Sequence, residues 1–133
     1  MSEENVEVVR GGYEQFATTG QFAAEIATSD FVWDMSNFRG WPEQQVYDGV
    51  DGARSFLEAW TAAWDDWELE VDALHDAGDQ VVALLHQRGR AKATGVPVDM
   101  SLAQVWTLRD GKEARMDMYS DPDEALKAVG LAE

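Results

Sequence analysis

The residues best placed to do chemistry are polar groups that fall on otherwise apolar faces. Gln104 is in phase with Met100, Leu102, Trp106 and Leu108 on an alternating segment, so it projects with them. Burying an amide without a partner costs about 1–3 kcal/mol, so Gln104 calls for a hydrogen bond from a neighbour or a ligand. An amide also donates without any tuning of its pKa. Gln87 shares the phase of Ala83 and Leu85 and is a second candidate. Tyr13 lies on one helical stripe with Val6, Val9 and Phe16, which turns its phenol inward, toward a ligand or a local partner. Phe31, Trp33 and Met35 alternate together, leaving Asp34 either a pocket carboxylate or a residue of the rim.

Other chemistries are excluded. The chain has no Cys, so thiol nucleophiles, thiolate metal sites and disulfides are ruled out. His75 and His86 are the only histidines, fall on different strands, and have no metal-ligand spacing; no metal and no cofactor are expected. The glycines mark turns and form no phosphate-binding loop. A formal charge of −16 repels nucleic-acid phosphates and anionic lipid, so neither nucleic acid nor a membrane is an expected partner. The N-terminus carries no signal-peptide pattern and no run of 18 apolar residues occurs, which makes the cytoplasm the expected location.

These groups need a scaffold, and 133 residues, 45% hydrophobic, suffice for one domain over residues 1–133. The spacing predicts a helix over 2–18, ended by Gly20, and a short second helix over Gln21–Ala27. A strand follows at Phe31–Ser36, then a loop from Asn37 to Gln45. A third helix, Asp51–Asp65, carries Phe56, Leu57, Trp60 and Trp64 on one stripe. Beyond Asp66 the period becomes two, with turns at Ala77–Asp79, Thr94–Pro97 and Asp110–Gly111, which predicts a meander of four antiparallel strands. A last helix has Asp121 as cap, Pro122 at its first position and Gly130 as stop. Helices followed by long strands predict an α+β fold with the helices on one side of a bent sheet.

The segments GYEQF, FVWDMS, YDGVDGARSFLEAW and LAQVWTLRDGKEARMDMYSDPDEALKAVGL, in this order, resemble the SnoaL-like, ketosteroid-isomerase-like branch of the nuclear transport factor two-like superfamily. The resemblance spans roughly residues 4–131. It implies a cone: a strongly curved antiparallel sheet with N-terminal helices and a helix across its open face. It also implies an interior pocket used without a cofactor and a homodimer through the outer sheet face. Isomerases of this type move a proton beside a carbonyl with a carboxylate, while a Tyr and a protonated acid hold the developing oxyanion; that logic is an established example, borrowed here. By position, Tyr13 and Gln104 match the two oxygen-binding groups and Asp34 matches the base.

The chain is therefore expected to bind an apolar small molecule inside the cone, as an isomerase or polyketide-cyclase-like enzyme. Trp33, Trp60, Gln87, Met100, Trp106, Met116 and Met118 would line the pocket, with Trp41 and Phe38 at its mouth. Methionines suit such a wall because they adapt to a loosely specified ligand. His86, Arg88, Arg90, Arg115, Asp117 and Tyr119 fall on the opposite phase and belong to the outer face. The alternatives are a non-catalytic ligand carrier and a dimeric interaction module with a filled core. An epoxide hydrolase would need an Asp-Arg-Asp cluster inside the pocket, and no second inward Asp accompanies Arg115 and Asp117.

Overall fold

A computed structural model describes residues 2–38 and 46–131. Helix α1 spans Ser2–Thr19 and ends at Gly20, whose φ of 72° lies in the left-handed region that Gly enters without a Cβ clash. The predicted second helix is reduced to one 3-10 turn, Ala24–Ile26, because strand β1 already begins at Ala27 and runs to Asn37. Strand β2, Val46–Asp48, leads into helix α2, Gly49–Ala62. The remaining strands are β3 (Trp64–Ala77), β4 (Gln80–Ala91), β5 (Pro97–Arg109) and β6 (Lys112–Tyr119), followed by helix α3, Pro122–Ala128. Asp121 caps α3 by accepting a hydrogen bond from the Asp123 N–H at 2.9 Å, with Pro122 opening the helix as expected. Trp64 belongs to β3 and not to the preceding helix.

The six strands form one sheet in the order β2-β1-β6-β5-β4-β3. The predicted antiparallel meander is present as β3 to β6. The sheet as a whole is mixed, since β1 pairs with β6 in parallel. That pairing corrects the all-antiparallel expectation, which counted hairpins and had none to join the first strand to the last. The fold is α+β, with its helices on both faces of an open sheet.

Period-two alternation then sorts the side chains. One face carries Val81, Ala83, Leu85, Leu102, Trp106, Leu108, Met116, Phe31, Trp33 and Met35 into the main core, with α1 and α2 laid across it. The other carries Val82, Ala103 and Val105 under Ala125, Leu126 and Val129 of α3. Aromatic rings dominate the main core: Trp33 lies 4.9 Å from Phe56, and Phe31 stacks 6.1 Å from Trp106.

Of several register shifts in the sheet, two bulges matter for the site. Thr107 faces Arg115 while Leu108 faces Glu113, so Ala114 is an extra residue in β6. Between Asp65 and Glu68, β3 holds one residue more than β4, and Asp66 there adopts a φ of 53°, a region Asp tolerates better than most residues.

Candidate functional site

Between α1, α2 and the inner sheet face lies a cavity of about 60 Å³, room for roughly four waters. Its walls are apolar apart from Tyr13, Gln87, Gln104, Glu113 and the indole N–H groups. An open groove of about 370 Å³ beside the α1–β1 connection shares Phe22 and Leu57 with its lining.

Tyr13 comes from the inward stripe of α1 and meets β5. Its hydroxyl accepts from the Trp106 Nε1–H at 2.8 Å and donates to Gln104 Oε1. The Trp106 ring meets the Tyr13 ring edge-on at 6.1 Å. Burial pushes the phenol pKa up, the Trp106 bond opposes this, and the nearby Glu113 adds to the rise, so Tyr13 stays protonated. The consequence differs from the expected role. Tyr13 spends its one proton on Gln104, and within this triad the group left to donate is the Gln104 amide nitrogen.

Glu113 is the residue that sequence reasoning missed. It is 2% exposed, lines the cavity, and has no hydrogen-bond or ion-pair partner among the described residues. Desolvation alone drives its pKa well above the ordinary carboxylate value. A Cβ on Gly12 of α1 would stand 3.5 Å from its Oε2, so the bare helix backbone leaves room for the carboxyl. Strict alternation back from Met118 and Met116 puts Glu113 on the outer face; the bulge at Ala114 returns it to the inner one. The signal was present in the turn, because a two-residue loop at Asp110-Gly111 sets Glu113 opposite Leu108, an inward residue.

Gln87 anchors the far end of the wall. Its Oε1 accepts from Trp60 Nε1 at 3.1 Å and from Trp67 Nε1 at 3.0 Å. Trp33, Trp60, Trp106 and Met118 also line the cavity. Met116 is fully buried between Trp33 and Trp106 in the ladder but does not reach the cavity, and Met100 is half-buried at the core edge. Phe38 packs edge-on against Trp60 at 5.6 Å; Trp41 lies outside the described residues.

Asp34 is not at the cavity. Its neighbours Trp33 and Met35 point inward, so Asp34 points to the other face, where it pairs with Arg115. Arg115 Nε also donates to Asp117 at 3.0 and 3.1 Å. Burial works against the Asp34 charge, but the Ser36 hydrogen bonds and Arg115 outweigh it and hold the carboxyl below its ordinary value. An Asp-Arg-Asp cluster thus exists, on the side of the sheet opposite the cavity, where it cannot orient a water against a ligand inside.

A SnoaL-like domain model matches residues 12–116, and the chain belongs to the SnoaL-like family. Among solved structures it is similar to TerC, co-crystallised with polyporic acid (21% identity, TM-score 0.73, covering 95% of this chain and 98% of TerC). An NTF2-like protein from Burkholderia thailandensis E264 shares 23% identity at TM-score 0.77, over 94% and 96% of the two chains. A protein from Jannaschia sp. CCS1, described as a SnoaL-like polyketide cyclase, shares 20% at TM-score 0.73, over 99% and 95%. At these identities the likeness is one of fold. A search of curated proteins finds no match.

Proposed function

We propose that the chain binds an uncharged, apolar carbonyl compound in this cavity, which must widen from its about 60 Å³ to admit one, and moves a proton on it, as an isomerase or cyclase of the polyketide-cyclase type. One observation carries the reading: Glu113 is buried, unpaired and raised in pKa inside an apolar cavity. Structural carboxyls are normally paired when buried, and a carboxyl poised nearer neutrality is suited to proton transfer. Glu113 takes the place expected of Asp34.

In this scheme the ionised Glu113 removes a proton from carbon next to the carbonyl. The electron pair moves to the carbonyl oxygen, which the Gln104 amide N–H stabilises as an enolate. Glu113, now a neutral acid, returns the proton to carbon in an isomerisation. In a cyclisation the enolate carbon attacks a second carbonyl and Glu113 protonates the new alkoxide. Tyr13 and Trp106 hold Gln104 so that its N–H groups face the ligand. The outer sheet face not covered by α3 is, on the family resemblance, the surface for a homodimer.

The test needs no natural substrate. In deuterated buffer the protein should accelerate exchange of the acidic protons of 2-tetralone, followed by loss of their proton NMR signal. The rate should rise with pH through the raised pKa of Glu113, since the base form grows in that window. Glu113→Gln should remove at least ~100-fold of the acceleration. Equal exchange in the two proteins would eliminate Glu113 as the proton carrier, and no acceleration in either would leave a non-catalytic carrier.

A further inference from the structure

Gln87 has a second feature that the proton-transfer scheme does not use. An indole N–H can only donate, so the Gln87 atom held between Trp60 and Trp67 must be the carbonyl oxygen. Two donors on one oxygen fix which way the amide faces. Its Nε2 is left buried with no partner, in a side chain 3% exposed on the cavity wall. An unmade bond of this kind is costly in an apolar interior and is relieved by any acceptor that enters.

The position of the orphan donor matters as much as its existence. Ala83, four residues earlier on β4, faces Gln104, while Gln87 faces Met100. At ~3.4 Å per residue the two amides are rooted about 14 Å apart along the sheet. Leu85 and Leu102 form the wall between them. The bulge near Asp66 belongs to the same construction: it lets Trp67 point inward beside Trp64, three residues away, and so reach Gln87.

We propose that Gln87 reads a second ligand oxygen, so that the cavity, which must widen beyond its about 60 Å³ on binding, selects an uncharged, elongated molecule with an apolar middle and an oxygen acceptor towards each end. This rests on the carbonyl-site reading of the same cavity, and it adds Gln87 as the residue that sets specificity at the end away from Glu113. A neutral amide flanked by indoles in an acidic protein favours a ketone, quinone or ether oxygen over a carboxylate.

The experiment compares 2,6-diacetylnaphthalene with 2-acetyl-6-isopropylnaphthalene, which has the same outline and lacks the second oxygen. Binding is followed by tryptophan emission, with the Gln87 side-chain amide of the 15N-labelled wild type followed by NMR. Wild type should bind the diketone about 3–10-fold more tightly, the range of one neutral hydrogen bond. Gln87→Met should bind both equally, and Glu113→Gln should keep the preference. Should Gln87→Met not fold, the amide decides: its signals shift with the diketone and not with the isopropyl compound. Equal wild-type affinities, a preference surviving in Gln87→Met, or amide signals unmoved at the solubility limit of the diketone would each overturn the proposal. Absence of 2-tetralone exchange in the wild type with the preference intact would remove the proton-transfer reading and leave this one standing.

Discussion

Two carboxyls on neighbouring strands of one sheet show how differently its faces treat the same chemistry. Asp34 on β1 faces away from the cavity, 13% exposed, with Arg115 and the Ser36 hydrogen bonds favouring its charge. Glu113 on β6 faces inward, where nothing compensates ionisation and the neutral form is favoured. The outer group is satisfied by the protein; the inner one awaits something the protein does not supply. Titratable residues alone do not mark a site. A pairing left undone inside an apolar wall does.

The contrast can be broken most forcefully at two adjacent residues. Trp33→Ala should cost about 3–5 kcal/mol in urea unfolding, because Trp33 is 2% exposed against Phe56, Phe22 and Trp106. Its neighbour Asp34→Ala should cost under about 1 kcal/mol, since Arg115 keeps Asp117 and remains 42% exposed. Equal costs would mean that the faces are misassigned.

A second, smaller effect has the opposite sign. The folded pKa of Glu113 is raised, so the unfolded chain releases this proton first as pH increases. Stability from this group is therefore highest below its ordinary pKa and declines as pH rises toward the folded value. Glu113→Leu should raise stability by about 1–3 kcal/mol at pH 8 and flatten that decline, read from melting curves between pH 5 and 9. A destabilised Leu variant would show that the carboxyl has a partner after all.

The smallest effect belongs to Asp34. Its folded pKa is lowered, so its contribution is present above the ordinary value and is lost as pH falls through the folded one. Asp34→Asn should match wild type once the pH is low enough to protonate Asp34 in the folded protein and differ slightly at pH 6, less so in high salt. A salt-insensitive difference would argue for a packing role.

Much of this arrangement could be read from the chain. Period-two alternation placed Gln87 and Gln104 on the inner face, and the α1 stripe placed Tyr13 opposite them, because a regular element repeats one geometric rule. Three things escaped. The β1–β6 pairing joins segments about 80 residues apart, and no local pattern encodes a parallel neighbour. Glu113 escaped because alternation fails where a bulge inserts a residue. Asp34 was drawn into the site by a likeness of sequence, although Phe31, Trp33 and Met35 already assigned it to the other side. Tyr13 was placed well, yet its proton proved committed to Gln104, a matter of partners that spacing cannot disclose.

The extra residue at Ala114 has a wider consequence. Removing that one amino acid would leave Glu113 opposite Leu108 and Arg115 opposite Thr107 in an unbroken ladder, so the acid would stay inside. A single-codon deletion there would therefore straighten the strand while the buried acid and the methionines keep their face. Relatives that differ in reactivity are then best compared at the position opposite Leu108, whatever the length of strand that follows it.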